Sequence, residues 1–445
     1  MHTHPSFSTS TSIVTLKDTG ISTASINSRV PAFVFKAIFP LLGAMAIAFI
    51  GCMWEPSDNK TGFLSLDDSE YPYVGIPRLV IETESFTQIR DRTTEIPARL
   101  QVYGPDAPES EILELTVRGR GNSSFTGMPK FGVKLEFTDK QALLGMPKDR
   151  DWALIPNFAD KTHLKNFITY KLSQWLDDDY YPKAEFVEVY LNREYLGLYL
   201  LSETVKVSKK RVDIPDNDSS FLIEIGPNYK AGKTYFEWDD RLFQICHPKK
   251  PPAASYIAIT QHIKQWTEYL AKGIFDKQDS LATWLNIEDY IRYYWIQELS
   301  KNMDAAFHRS IFFTWNIGEP MKMGPVWDFD VAYGNWKTDS LRTATDWYIR
   351  ESGWNKLLFN DKAFLERAND YWKNHSQFFE TFTDSISKYA KIVEPYTAND
   401  FKRWPILNST ENWAHKEPYN SYNEAVDSLN SWISQRIRWI SQNVE

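Results

Sequence analysis

The hydrophobic period changes near the middle of the chain, and this change limits the fold more than any other feature. From about Pro77 to Ile225, apolar residues alternate or run over strand-like lengths between Asp, Pro and Gly clusters, which predicts a sheet. After Pro252 the apolar residues recur at helical spacing. A sheet-rich half followed by a helix-rich half predicts an α+β architecture with two lobes.

Local signals place several elements within these halves. The polar pair Asn192 and Arg193 predicts the turn of a hairpin, Asp160 is a predicted N-cap, and Asn286 is another. Strands are predicted over residues 78–83, 98–103, 113–118, 186–191 and 195–201. Helices are predicted over residues 160–176, 257–270, 287–299 and 362–445.

Composition excludes several classes of protein. A formal net charge of −8 over 445 residues lacks the basic excess of a nucleic-acid binder. The cysteines, Cys52 and Cys246, are too far apart for a disulfide framework, and the eight histidines form no HExxH pair typical of a zinc enzyme. The 17 tryptophans allow a sugar-stacking surface, but most occupy apolar positions of predicted elements, which favours a role in the core.

The N-terminus carries a targeting segment. Residues 1–52 consist of a Ser- and Thr-rich leader, predicted to be disordered, and an uncharged run of about 16 residues from Ala37 to Cys52, typical of a signal-peptide core. The run ends in Phe49-Ile50-Gly51-Cys52, which resembles a bacterial lipoprotein box with Cys52 as the lipidated residue. An uncleaved signal anchor is the alternative, and either interpretation predicts an extracytoplasmic, membrane-anchored protein with a tether over residues 53–76.

The stretch GPVWDFDVAYGN, residues 324–335, places Asp328 and Asp330 on either side of a phenylalanine. Two strand-like runs, 310–315 and 321–327, precede these acids, and antiparallel pairing would bring Asp304 and Asp328 to the same open end of a hairpin. Neighbouring carboxylates repel one another unless a cation or a proton resolves the repulsion. A set of oxygen ligands favours Mg²⁺, Mn²⁺ or Ca²⁺ over zinc.

Four motifs occur in order and span most of the chain from Pro77 onward. They are RGRGNSSFTGMPKFGVKLEF at 118–137, VEVYLNREYLGLYLLSETVKVSKKRVDI at 187–214, ELSKNMDAAFHRSIFFTW at 298–315 and GPVWDFDVAYGN. Together they resemble the CotH family, which is named after a spore-coat protein and is related to protein kinases in its catalytic core. The resemblance implies an atypical kinase fold over residues 77–445, with a sheet-rich N-terminal part and a helix-rich C-terminal part.

The resemblance implies phosphoryl transfer from ATP with a divalent ion. Kinases use one aspartate as base and a second, in a DFG motif, as metal ligand. By resemblance, Asp304 takes the base role and Asp328 the metal role. Asp330 stands in place of the DFG glycine, where it either supplies oxygen to a second ion or caps the turn from Val331 to Gly334.

The nucleotide phosphates have three predicted partners. Arg120 and Asn122 lie in a glycine-containing loop, and Lys134 resembles the kinase strand lysine that neutralises phosphates. Lys130 competes with Lys134 for that role. The alternative is that the glycines only make a turn between strands and that Lys134 is a solvated residue of the sheet.

Two departures from the kinase pattern affect the expected activity. Arg309 stands where kinases carry the asparagine that binds a second metal ion. Either Asp330 or Asn302 replaces that ligand, or a single ion binds, or transfer is lost. The predicted helix 160–176 has no glutamate to pair with Lys134, so Glu203 or Glu224 would have to substitute.

Three functions are compatible with these observations. The first is transfer of phosphate from ATP to a Ser or Thr hydroxyl of a surface or periplasmic protein. The second is a surface-anchored structural or binding protein that keeps the fold without the chemistry. The third, a carbohydrate-binding lipoprotein, depends on the aromatic residues alone. The converging pair Asp304 and Asp328 favours the enzyme, since a scaffold has no physical need for adjacent acids.

Overall fold

The structure is a computed structural model, and its described residues are 66–104, 111–176, 178–273, 278–411 and 417–444. The predicted leader, with Cys52, lies outside them, as do residues 53–65 of the predicted tether. The described residues belong to one compact unit, Lys60–Glu445. No helix in this part of the chain is long and apolar enough to cross a membrane.

Seven N-terminal strands form a closed barrel. They are Arg78–Thr83 (β1), Ile96–Tyr103 (β2), Leu113–Arg120 (β3), Gly132–Gln141 (β4), Asp149–Ile155 (β5), Ala184–Leu191 (β6) and Glu194–Glu203 (β7). Their order around the barrel is β1-β2-β3-β4-β5-β7-β6. The barrel closes where β1 pairs with β6 in parallel, and the other neighbours are antiparallel. The sheet predicted for this half is therefore confirmed as a barrel.

Alternation along β4 shows how the barrel is filled. Val133, Leu135 and Phe137 are buried in its core, whereas Lys134 lies on the opposite side of the strand and is only partly buried. Lys134 stands opposite Arg118 of β3 in the ladder, so the two cations share the outer face of the barrel. Arg120 and Lys134, two of the three residues predicted to bind nucleotide, lie on these strands, whereas Asn122 follows the end of β3.

The hairpin formed by β6 and β7 turns at Asn192 and Arg193, as predicted. Both residues have positive φ, 52° and 72°, which a two-residue turn between twisted strands requires. The described part of the predicted tether packs on this hairpin. The ring of Tyr71 stacks on that of Tyr195 with 4.3 Å between centroids, and Ile76 is buried.

A second sheet joins the two halves of the chain. Its strands are Ser220–Ile225 (β8), Thr234–Trp238 (β9), Arg241–His247 (β10), Ile311–Asn316 (β11) and Lys322–Met323 (β12), in the order β12-β11-β8-β10-β9. Strands β9 and β10 are not predicted from the sequence. The antiparallel hairpin of β11 and β12 is confirmed, with Phe313 opposite Met323, but its second strand covers only Lys322–Met323 rather than the predicted 321–327.

The remaining described residues are mainly helical. The helices are Ser123–Thr126 (α1), Lys165–Trp175 (α2), Ala253–Lys272 (α3), Gln278–Ala282 (α4), Ile287–Ser300 (α5), Asp339–Arg342 (α6), Gly353–Leu358 (α7), Lys362–Asn374 (α8), Ser376–Glu380 (α9), Phe382–Arg403 (α10) and Tyr422–Asn443 (α11), with a 3-10 turn at Glu84–Phe86. The α+β class is confirmed. Trp152, Trp266, Trp295 and Trp372 are at most 1% exposed, which supports the core role of the tryptophans.

Two helix starts show where local signals succeed and fail. Asn286 is the N-cap of α5, and its side chain accepts a hydrogen bond from the Asp289 amide at 3.2 Å. Asp160 is not an N-cap, because α2 begins only at Lys165. Instead the Asp160 carboxylate accepts hydrogen bonds from the backbone amides of Thr162 and Lys165. The intervening His163 has a φ of 58°, which is not helical, so the helix cannot begin before it.

Candidate functional site

The acidic turn from Asp328 to Asp330 follows the β11–β12 hairpin. Asp328 has a φ of 67°, in the left-handed region that Asp tolerates better than most residues. Its carbonyl accepts a hydrogen bond from Asn302 Nδ2 at 3.1 Å. Such a conformation is retained only where surrounding contacts hold it, and such positions are common at functional sites.

Asn302 links the two halves of the predicted acid pair. While its Nδ2 donates to the Asp328 carbonyl, its Oδ1 accepts the backbone amide of Asp304 at 3.2 Å. Asn302 lies two residues after the end of α5 and is 1% exposed. Because both ends of its amide are engaged, Asn302 positions the two aspartates and is poorly placed to serve as the replacement metal ligand considered from the sequence.

The structure brings Asp304, Asp328 and Asp330 into electrostatic contact. Burial and the charge of Asp328 raise the pKa of Asp304 to about 6. Burial and the same charge raise the pKa of Asp330 to about 7. Burial also raises the pKa of Asp328, although the Ser310 hydroxyl donates to its Oδ2 at 3.1 Å and opposes that rise. The three acids are therefore poised to accept a cation or a proton.

Two arginines lie close enough to act on the acids. Arg120 and Arg309 both oppose the rise in the pKa of Asp328, and Arg309 also opposes the rise in that of Asp304. The Arg120 guanidinium carbon lies 5.2 Å from the ring centre of Trp327, the residue before Asp328. Arg120 is thus the one predicted phosphate ligand that the structure places beside the acids.

Lys134 is engaged away from the acidic turn. Its ammonium bonds the Glu136 carboxylate and lies 3.1 Å from Asp151 Oδ1. The competing Lys130 is fully buried, where it donates to Asp400 Oδ1 at 2.7 Å and to a backbone carbonyl. Lys130 is therefore a structural cation, and Lys134 would have to leave two carboxylates to reach a phosphate.

The glycine-containing loop has a structural explanation. Gly119 lies inside β3, where its amide donates to the Asp91 carbonyl at 2.9 Å, and a Cβ there would collide with the Phe125 ring. Gly127 donates to the Ser123 carbonyl at 2.9 Å. Asn122 accepts a hydrogen bond from Arg92 Nη1 at 2.8 Å. Gly127 thus lies in the connection between β3 and β4, as the alternative expects, whereas Gly119 belongs to a strand and not to a turn.

Neither glutamate considered as a partner for Lys134 contacts it. Glu203 accepts the Lys183 amide at 3.0 Å and lies 3.8 Å from Arg211 Nε. Glu224 lies on β8, and burial raises its pKa. The charges that oppose this rise come from Lys230 and Arg120.

Lys230 and Asn166 lie near the site but are not predicted from the sequence. Lys230 lies in the loop after β8 and interacts electrostatically with Arg120 and Glu224. Its only sequence signal is the short Gly- and Lys-containing run at 226–233. Asn166, on α2, donates to Asp330 Oδ1 at 2.6 Å, and nothing in the sequence around it indicates this contact.

The donors of the acidic turn suit a hard cation. Within the described ranges no group of three or more His, Cys, Asp or Glu side chains is arranged to hold a metal ion by itself. Mg²⁺ usually takes only one or two protein carboxylates and completes its shell with water and substrate phosphates. The carboxylates of Asp328 and Asp330 fit this mode of binding.

Comparison with known proteins identifies a family. A protein-family model described as CotH, CotH kinase protein, matches residues 117–440. That range includes every predicted site residue except Cys52. A search of curated proteins found no match.

Proposed function

We propose, because this chain belongs to the CotH kinase protein family and the family indicates kinase-like phosphoryl transfer, that it transfers phosphate from ATP to a Ser or Thr hydroxyl of a surface or periplasmic protein. The observation that carries the proposal is the convergence of Asp304 and Asp328 through a single buried amide, that of Asn302. Adjacent buried acids destabilise a protein without a ligand, so their presence favours a site that a cation completes.

Asp328 and Asp330 would hold the divalent ion. Mg²⁺ or Mn²⁺ suits two carboxylates together with nucleotide phosphates, and Ca²⁺ would also accept these oxygen donors. When bound, such an ion neutralises charge on the transferring phosphoryl group. The raised pKa values of both aspartates mean that their ionised carboxylates destabilise the folded protein when no ligand is present. A bound cation would remove this destabilisation.

Asp304 would accept the proton of the substrate hydroxyl. Its pKa of about 6 keeps it mainly ionised at neutral pH and makes it more basic than an exposed aspartate. The Asn302 side chain accepts a hydrogen bond from the backbone amide of Asp304, which fixes the main chain from which the Asp304 carboxylate extends. Position and basicity are the two properties that a general base needs.

Arg120 would bind the nucleotide phosphates. It lies beside Asp328 and over the Trp327 ring, and a guanidinium forms strong charge-assisted bonds with phosphate oxygens. Asn122 and Lys134 stay as weaker candidates. Each already has protein partners, and binding phosphate would cost it those contacts.

A non-catalytic scaffold is the second candidate, and Arg309 favours it. Its positive charge opposes the rise in the pKa of both Asp304 and Asp328, so a permanent protein cation already offsets part of the repulsion that a metal would relieve. In this alternative the acidic turn is a structural charge cluster. The fold would then serve as a surface-anchored binding or structural protein.

We further propose an extracytoplasmic location for the domain. The basis is the sequence of residues 1–52, with Cys52 as lipid attachment site or, alternatively, the whole segment as an uncleaved anchor. The substrate would then be a protein of the cell surface or periplasm, with no nucleic-acid partner.

Thermal unfolding with and without Mg²⁺ and ATP tests the function. Wild-type protein should show a rise in Tm at millimolar ligand, since a ligand at 100 times its Kd stabilises a fold by about 2.7 kcal/mol. Asp328→Asn should abolish most of that rise, whereas Asp304→Asn should keep it and lose transfer by about 10²-fold or more.

Asp339→Asn is a suitable control, because the Asp339 side chain is 95% exposed and belongs to α6 rather than to the acidic turn. It should keep both the ligand-dependent rise in Tm and the transfer activity. If wild-type protein shows no rise in Tm that depends on both ATP and the metal, the enzyme proposal fails and the scaffold is supported.

A further inference from the structure

One face of helix α2 packs against the acidic turn and the residues around it. Asn166, Thr169 and Tyr170 are spaced i, i+3 and i+4, which places them on the same side of the helix. The Tyr170 ring stacks on Trp327 with 5.9 Å between centroids. The Thr169 hydroxyl lies 2.7 Å from the hydroxyl of Tyr333. Helix α2 thus contacts Trp327 before the acidic turn, Asp330 within it and Tyr333 after it.

Asn166 makes the contact to the acids themselves. Its Nδ2 donates to Asp330 Oδ1 at 2.6 Å, and its Oδ1 accepts the backbone amide of Phe329 at 2.8 Å. Asn166 is 2% exposed, so neither bond competes with bulk water. The same amide therefore holds the main chain between the two aspartates and the side chain of the second one.

These two bonds have a consequence for cation binding. One oxygen of Asp330 is committed to Asn166, which fixes the orientation of the carboxylate and leaves its second oxygen free of that bond. The bond to the Phe329 amide fixes the backbone that connects Asp328 with Asp330. Without Asn166, repulsion between the acids would be free to turn the Asp330 side chain away from Asp328.

We propose that Asn166 is a positioning residue that holds Asp328 and Asp330 in the arrangement that binds a divalent cation. The inference rests on the proposed function. It also gives α2 a defined role, since this helix carries no glutamate and the Lys134 ammonium is bonded elsewhere. The link between the helix and the site is a neutral amide bonded to a carboxylate, where a kinase would use an ion pair.

Mn²⁺ binding measures this role directly. The protein is titrated with Mn²⁺ in the presence of ATP, free Mn²⁺ is followed by electron paramagnetic resonance well below the unfolding temperature of every variant, and the same titration of ATP alone is subtracted because ATP itself binds Mn²⁺. Asn166→Leu removes both hydrogen bonds at nearly constant volume, and Asn166→Ser is a smaller change that also reaches neither partner. Loss of a residue that orients a metal ligand typically weakens metal affinity about 10- to 100-fold, and we expect a loss in that range for both variants.

Thr169→Val is the matched control. It removes a buried contact from the same face of α2 to the same segment but leaves Asp330 and Phe329 bonded to Asn166. We expect its Mn²⁺ affinity to stay within about twofold of wild type, whatever its effect on Tm, because no metal ligand is released.

The outcomes separate the two proposals. If wild-type protein binds Mn²⁺ and the folded Asn166 variants bind it equally well, Asn166 has no positioning role. If Thr169→Val weakens binding as much as Asn166→Leu, the effect belongs to helix packing and the inference is overturned. If wild-type protein binds no Mn²⁺ with ATP, the proposed function fails and the role of Asn166 fails with it.

Discussion

Replacing Asp304 with asparagine should stabilise the unliganded protein. Burial and the charge of Asp328 raise the pKa of Asp304 from its ordinary 3.8 to about 6, with Arg309 opposing the rise. The folded chain therefore disfavours the ionised carboxylate relative to the unfolded chain. Asparagine has nearly the same shape and no charge, so the penalty is removed in Asp304→Asn.

The pKa shift sets the size of the effect. A shift of about 2 units corresponds to about 3 kcal/mol, at 1.36 kcal/mol for each unit. This is a ceiling, because asparagine also loses any favourable interaction with Arg309. With an unfolding entropy of about 2.1 cal/mol/K per residue, a domain of about 380 residues gains about 1 °C in Tm for each 0.8 kcal/mol. The expected rise in Tm is therefore at most about 4 °C.

The stabilisation depends on pH with a definite sign. Between pH 3.8 and about 6 the folded carboxyl retains a proton that the unfolded chain releases. Wild-type stability therefore falls as the pH rises through this window, and the penalty is fully present above it. The advantage of Asp304→Asn should be complete at pH 8 and should disappear near pH 4.

Thermal unfolding at pH 8 and near pH 4, without metal or nucleotide, measures this difference. Asp339→Asn serves as the control, because its exposed carboxyl lies outside the acidic turn and its loss should change the Tm little at either pH. The reasoning is refuted if Asp304→Asn is less stable than wild type at pH 8, or if its advantage is the same at both pH values.

Four further predictions concern ATP binding, Mn²⁺ affinity, the pH dependence of transfer and membrane anchoring. Arg120→Met should weaken ATP binding about 10- to 100-fold in a calorimetric titration, because a charge-assisted bond contributes about 1.5–3 kcal/mol, whereas Lys134→Met should change the affinity about twofold at most. An equal loss of ATP affinity in the two variants would contradict the prediction that Arg120 binds the phosphates and Lys134 does not. Arg309→Asn removes a cation from the acids and supplies an amide oxygen, so Mn²⁺ should bind more tightly by the resonance titration, and unchanged affinity would mean that Arg309 does not limit metal binding. Transfer activity measured as a function of pH should fall below about pH 6 as Asp304 takes up a proton, and a profile that stays flat through that pH would exclude it as the base. Cys52→Ser should move the protein from the membrane to the soluble fraction on cell fractionation, since serine cannot form the thioether, while retention with an intact leader would support a signal anchor.

Much of the fold follows from local sequence signals. The turn at Asn192 and Arg193 and the N-cap at Asn286 were predictable because each depends on residues a few positions apart. The start of α2 was not, because the carboxylate of Asp160 accepts hydrogen bonds from the amide of Thr162, in the loop, and from that of Lys165, the first residue of the helix. Closure of the barrel by the parallel pair β1 and β6 also left no local sign.

The proximity of Asp304 and Asp328 was also predictable from local features of the sequence. Asp304 and Asp328 lie on either side of one short hairpin, so the pairing of β11 with β12 returns the chain toward the region of Asp304, and the Asn302 side chain then bonds the main chain at both aspartates. The residue types then limit the chemistry to oxygen ligands and proton transfer. Hairpin geometry and residue chemistry are local, and a sequence expresses both directly.

The partners of these residues were decided by the tertiary structure alone. Lys134 is held by Asp151 from the next strand, and Asp330 is held by Asn166, which lies 164 residues earlier in the chain. The periodicity of α2 indicates that one of its faces is buried, but not which residues it is buried against. Contacts between distant segments depend on how whole elements pack, and that packing places an asparagine of α2 against the acidic turn and binds Lys134 to its neighbouring carboxylates.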